Sequence, residues 1–184
     1  MKKTLLVLMA VLALLPELSA QEQEAPIIKW YTLQEAMELN EKQPKKIFID
    51  VYTDWCGWCK VMDSVTFHNP YIAEYLSKNF YPVKFNAEST KDIVYKGKVY
   101  KNQNQGKRSP HDFAIALLKG KLSYPTIAFL DSTNTPITYI SGYLTPEQIE
   151  PLLVFISEDL YKTGNWETFM AKFTSKLPSH NIKI

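Results

Sequence analysis

Apolar residues fall along the chain in two alternating patterns. Continuous runs at 46–52, 81–86 and 126–130 are rich in Ile, Val, Phe and Tyr, the pattern of strands buried on both faces. Between and after them, apolar residues recur every three or four positions. Leu33, Ala36 and Met37 follow Thr32, and Ile72, Ala73, Tyr75, Leu76 and Phe80 follow Asn69-Pro70. Phe113, Ala114, Leu117 and Leu118 precede Gly120, and Ile149, Leu152, Leu153 and Ile156 follow Thr145-Pro146. That spacing predicts helices with one buried face. Thr32 with Glu35 and Thr145 with Gln148 have capping-box spacing, and Pro70 and Pro146 suit first helical positions. Pro44 and Gly120 stop their helices. Weaker signals give a short edge strand at 27–30, a small hairpin around Lys96-Gly97-Lys98, and a returning strand at 136–141. The resulting order is strand, helix, strand, helix, strand, helix, strand, strand, helix, which is an α/β class with a hairpin at the end of its sheet. After Gly164, Trp166, Phe169, Met170 and Phe173 keep helical spacing. They predict a short helix packed on the domain, with a partner or dimer contact as the alternative.

The first twenty residues follow a different rule. Lys2 and Lys3 precede an apolar run at 5–15, Pro16 breaks it, and Ser19 and Ala20 are small. This is the layout of a cleavable signal peptide, and the run is shorter than the roughly 20 residues a membrane span needs. Export to a periplasmic or other extracytoplasmic compartment is therefore expected, with no stable membrane insertion after cleavage. The net charge of +2 is too small to indicate a nucleic-acid partner.

Export makes the cysteines informative. There are two, Cys56 and Cys59. A bond closing so short a loop restrains little of the unfolded chain and stabilises little, so redox chemistry explains the pair better than structure does. Thiol–disulfide exchange needs an accessible, partly ionised thiol, and a free cysteine with a pKa of about 8.5 supplies little thiolate at neutral pH. Cys56 directly follows a predicted strand and opens a predicted helix, where unpaired N–H groups favour negative charge. Cys59 follows one turn on, on the same face. Gly57 keeps the turn open and Trp58 offers a flat exposed surface. Asp50 falls inside an apolar strand, so burial should raise its pKa and suit it to act as the base for the deeper thiol.

The segment Asp50-Val51-Tyr52-Thr53-Asp54-Trp55-Cys56-Gly57-Trp58-Cys59-Lys60 resembles the active-site segment of the thioredoxin family. That family carries an Asp six residues before the first cysteine, a Trp just before it and a Lys just after the second. Tyr124-Pro125-Thr126 is similar to the family's cis-proline segment, which faces the cysteines and binds substrate backbone. Lys84 matches a lysine near the buried Asp, and Gly142 a glycine ending the last strand. The resemblance spans roughly 30–160. It implies a thioredoxin-like fold, a central mixed sheet flanked by helices, with an insertion at 87–110 before the third helix. The chain then divides into a signal peptide at 1–20, a thioredoxin-like domain at 21–162 and a helical extension at 163–184. Cys56, Cys59 and Asp50 are the expected catalytic residues. Trp55, Gly57, Trp58, Tyr124 and Pro125 are expected to bind substrate, and Lys84 and Lys60 to support them. The activity implied is thiol–disulfide exchange with exported protein disulfides. The Asp50 match favours the reducing direction, with electrons from a membrane-embedded thiol donor. The Gly57-Trp58 dipeptide departs from the Gly-Pro of the best-known thioredoxins and is more like exported or domain-fused members.

Other chemistries fit less well. A zinc site needs about four ligands, and His68, His111 and His180 are scattered. Haem attachment needs a His where Lys60 stands. Copper delivery would need a histidine near the pair, and His68 is the one candidate. No metal and no cofactor are expected. A binding module without redox turnover is the remaining alternative. The insertion carries Lys91, Lys96, Lys98, Lys101, Lys107 and Arg108, with Tyr95 and Tyr100 among them. These are expected to form a solvated hairpin and loop, with docking of an acidic partner as the alternative.

Overall fold

The apolar run Lys46–Tyr52 forms the central strand β1, buried from 47 to 51. The computed structural model describes residues 27–177. The expected signal segment and the last residues of the C-terminal extension, His180 among them, lie outside the described residues. β2 (Phe80–Asn86) runs parallel to β1 on one side. β5 (Thr126–Leu130) runs antiparallel on the other, and β6 (Pro136–Ser141) pairs antiparallel with β5. The sheet is thus mixed, in the order β2-β1-β5-β6.

Alternation along the strands divides the core into two layers. Ile47, Ile49 and Val51 face one cluster with α1 (Leu33–Lys42) and α4 (Asp112–Leu117). Phe48 faces the other, with Phe80, Phe129, α3 (Pro70–Asn79) and α5 (Pro146–Ser157). Phe48 meets Phe67, Phe80 and Phe129 at ring-centroid distances of 5.8, 6.4 and 5.5 Å. Asp50, two residues on from Phe48, belongs to this second face.

The predicted helix starts hold. Thr32 and Glu35 form a capping box, and the Asn69 side chain accepts from the N–H groups of Tyr71 and Ile72. The helix after the cysteines, α2 (Gly57–Met62), continues through a π-helical turn, Asp63–Phe67, before α3 begins. The expected strand at 27–30 does not form. Only Tyr31 pairs, bridging to Val83, with its N–H 2.8 Å from Pro82 O. This segment docks through side chains instead: Ile28 is buried, and the Trp30 ring lies 5.2 Å from Phe67.

The insertion folds as a separate two-stranded hairpin, β3 (Ile93–Tyr95) with β4 (Lys98–Tyr100). It is fixed to the domain by Tyr95, which packs 5.2 Å from the Phe113 ring and donates to Asn134 O. At the C-terminal end, α6 (Trp166–Met170) rests on α5, with Trp166 and Phe169 each 5.2 Å from the Phe155 ring. The buried Glu150 carboxylate accepts from Ser175 Oγ and from Lys176 N–H at 2.7 Å, which keeps the chain on α5 beyond that helix. Among the described residues, no helix is long and apolar enough to cross a membrane.

Candidate active site

β1 ends at Tyr52 and the chain turns at once, Cys56 N–H donating to Thr53 O at 3.1 Å. That turn makes Cys56 the N-cap of α2, and its Sγ accepts from Cys59 N–H at 3.0 Å. An oriented N–H at this distance favours the thiolate over the thiol. Cys56 and Cys59 are joined as a disulfide with Cα atoms 5.3 Å apart.

Cys56 is less exposed than a freely accessible thiol. It retains only 4% of its surface, while Trp55 retains 48% and Trp58 62%. The Trp55 ring lies 6.2 Å from Tyr124, and Trp58 lies 5.4 Å from Tyr143. Trp58, Tyr124, Pro125, Gly142 and Tyr143 line a groove of about 290 Å³. The Tyr124–Pro125 bond is cis, and Gly142 N–H donates to Pro125 O at 2.8 Å, tying the proline loop to the end of β6. Gly142 has φ +105°, which a side chain would resist. A Cβ on Gly57 would meet nothing within 4 Å, so its surroundings within the chain are open.

Beside Cys59 lies a second cavity of about 140 Å³, lined by Asp50, Tyr52, Thr53, Asp54, Lys60, Asp63 and Lys84 as well. Asp50 is 2% exposed. Asp50 Oδ1 and Thr53 Oγ1 have no hydrogen-bond partner among the described residues. Lys84 pairs opposite Asp50 in the β1–β2 register, its Nζ 3.6 Å from Asp50 Oδ2. The same ammonium bonds Asp63 more closely and lies 4.9 Å from the Trp30 ring centroid. Burial pushes the Asp50 carboxyl up to about 7; Lys84 opposes that rise and the Asp63 charge adds to it.

Every residue expected at the site therefore lies at one end of β1 or around it. Trp58, Tyr124 and Pro125 line the groove, Trp55 packs against Tyr124, and Cys56 and Gly57 open α2. Cys59, Asp50, Lys60 and Lys84 line the second cavity. Several contributors were not foreseen from sequence, Tyr143 in the groove among them. Asp63 stands four residues after Cys59, so helical spacing alone could have raised it. Thr53 is buried at the turn. Glu88 accepts from Trp55 Nε1–H at 2.8 Å across 33 residues of chain, a contact without a local signal. The His68 ring is engaged elsewhere than at the sulfurs: its nitrogen meets Asp63 O at 2.6 Å.

With fold and site in view, a family profile described as "Thioredox_DsbH: Protein of unknown function, DUF255" matches residues 16–158. The chain belongs to the Thioredox_DsbH family. Its fold is thioredoxin-like. A solved structure of a DsbH oxidoreductase superposes with a TM-score of 0.53 at 16% identity, covering 82% of this chain and 99% of that one. A thioredoxin from Thermus thermophilus gives 0.52 at 14% identity, over 70% and 86%. The thiol:disulfide interchange protein DsbD of Vibrio vulnificus is 30% identical over 142 residues, 74% of this chain. The chain spans only about a fifth of that relative, 20% of its length.

The buried carboxylate has a consequence for stability. Asp50 is protonated in the folded chain up to about pH 7, whereas in the unfolded chain it ionises near the ordinary value of 3.8. Between those values the folded state binds the extra proton, so stability falls as pH rises and levels off above about pH 7. In the oxidised protein, Asp50→Asn should flatten this slope and gain a few kcal/mol at pH 8. Urea unfolding at pH 5 and pH 8 measures it; equal pH slopes in both proteins would contradict the assigned environment.

Proposed function

We propose that this chain is a thiol–disulfide oxidoreductase that exchanges electrons with protein disulfides through Cys56 and Cys59. The observation that carries this is the placement of Cys56 Sγ at the start of α2, 3.0 Å from Cys59 N–H and bonded to the second sulfur. In the reduced protein, Cys56 thiolate attacks one sulfur of a substrate disulfide. The substrate S–S bond breaks, a Cys56–substrate disulfide forms, and the first substrate sulfur leaves as a thiolate that takes a proton from water. Cys59 then gives up its proton and attacks Cys56 Sγ. The mixed disulfide breaks, the second substrate sulfur leaves, and the internal disulfide forms. The substrate gains two electrons and the protein loses two.

Asp50 is the base for the second step. Its carboxyl shares a cavity with Cys59, and a pKa of about 7 lets it accept and return a proton near neutral pH. The cavity has room for the water that would relay the proton, and Lys84 limits how far burial suppresses the carboxylate. On the other side, Trp58, Tyr124 and Pro125 form the groove for the substrate chain, with open space above Gly57.

The direction we favour is reduction, because a base for Cys59 speeds release of the reduced product. The substrates would then be disulfides of exported proteins, and the protein itself would be re-reduced by a dithiol donor at the membrane. The residues at 1–20, with their basic start, apolar run and small-residue end, support an extracytoplasmic location. The relative named thiol:disulfide interchange protein supports the same chemistry.

Two measurements test this. Incubated with an excess of a disulfide-bonded peptide, Cys59→Ser should accumulate a dithiothreitol-sensitive adduct with the mass of one peptide, and Cys56→Ser should not. An equal yield of adduct from both variants, or from neither, would overturn the scheme. The reduction potential of the pair, measured by equilibration with glutathione buffers, should lie near about −270 mV; one near about −120 mV would reverse the direction.

A further inference from the structure

The insertion extends past its hairpin to the functional site. Its last residues return to the active-site rim, where the Arg108 guanidinium sits over the Trp55 indole, 4.3 Å from the ring centroid. Trp55 immediately precedes Cys56. The indole is held on a second side by Glu88, which accepts its Nε1–H at 2.8 Å. One side chain ties the two holders together: Asn102 Nδ2 donates to Glu88 O at 3.1 Å and to Ser109 O at 2.8 Å, and Ser109 adjoins Arg108. The loop is closed at its base by the buried His111, whose N–H donates to Ala87 O at 2.7 Å and whose ring meets Lys91 O at 3.0 Å. Arg108 itself has φ +66°, following Gly106 at φ +122°. The guanidinium is therefore placed by a built loop rather than left on a free tail.

Its charge is not spent inside the chain. The insertion sets Lys91, Lys96, Lys98, Lys101, Lys107 and Arg108 against Glu88 and Asp92, which more than accounts for the chain's net charge of +2. Several of these cations are engaged locally: Lys101 pairs with Asp92 at 3.0 Å, Lys96 donates to Thr135, and Lys98 sits over Tyr100. Arg108 has no acidic partner among the described residues, and stacking leaves its edge N–H donors open. Arginine stacked on an aromatic face commonly presents its fork to a carboxylate in two parallel hydrogen bonds.

We propose that Arg108, stacked on Trp55, is a substrate-selecting residue that receives a carboxylate side chain lying beside the disulfide cysteine attacked by Cys56. The partner is a segment of extended substrate chain with Asp or Glu next to its cystine. Trp55 bridges the two halves of the surface: it carries Arg108 on its face and lies 6.2 Å from Tyr124 of the groove. A chain lying along Tyr124 and Pro125 would pass this guanidinium. Arg108 takes no part in breaking or making S–S bonds.

The proposal rests on the thiol–disulfide activity put forward above, and the test separates the two. Reduced protein is given two peptides with the same disulfide, one with Glu and one with Gln next to the cysteine, and separately hydroxyethyl disulfide. The readout is the ratio of the single-turnover second-order rate constants for the Glu and Gln peptides within each protein, so a general loss of activity cancels. The full chain should prefer the Glu peptide by about tenfold at low salt, with the ratio falling toward one as salt is added. Arg108→Gln should bring the ratio to about one, and Arg108→Lys should restore part of it. A ratio of one in the unaltered protein, or a preference that survives Arg108→Gln, would overturn the selecting role while leaving the oxidoreductase activity intact. Failure of the unaltered protein to reduce any of the three disulfides would overturn the activity itself.

Discussion

The contact between Cys56 Sγ and the Cys59 N–H, 3.0 Å long, is the constraint around which the rest is built. It exists because β1 ends abruptly and the chain turns through Thr53 into α2 within four residues. The sulfur that begins a helix is offered an oriented donor and the positive end of the backbone dipoles, with no lysine or histidine needed beside it. β1 is buried between two neighbouring strands, so the turn that sets the sulfur is anchored in the middle of the sheet.

The same strand supplies the carboxyl that we propose as the base. Alternation puts Asp50 on the Phe48 face, in the cavity beside Cys59, where burial suppresses the carboxylate and Lys84 partly restores it. Lys84 is shared with Asp63 and stacked near Trp30, so its charge is divided among several groups. A fully paired Asp50 would be a poor base near neutral pH, and an unpaired one would ionise too rarely. The sharing of one ammonium by two carboxylates leaves Asp50 between those limits. Away from Asp50 the arrangement is different in kind. Aromatic rings and the proline loop form a shallow groove, and the insertion folds back to meet it at Trp55.

Much of this is legible in the sequence because the signals are local. Continuous apolar runs mark the buried strands, capping boxes mark the starts of α1 and α5, and the cysteine pair between strand and helix marks the site. Asp50 stands out because carboxylates are seldom buried, and a strand this apolar leaves its side chain little access to water. What the sequence hides is of the opposite type. The segment 27–30 has strand composition, yet it holds the domain by burying Ile28 and Trp30 rather than by a ladder. The low exposure of Cys56 arises from tertiary packing around the turn, which no local pattern encodes. The meeting of Trp55 with Glu88 and Arg108 depends on how a loop of the insertion closes through Asn102, and no spacing rule reports that.

The proposed function requires the fold, and not the cysteine alone, to make Cys56 a nucleophile at neutral pH. Following the ultraviolet absorbance of the thiolate against pH in Cys59→Ser, where Cys56 is the one thiol, tests this most directly. The midpoint should fall clearly below the value of about 8.5 for a free cysteine. A midpoint at or above that value would show that the helix start gives the sulfur no activation, and would contradict it.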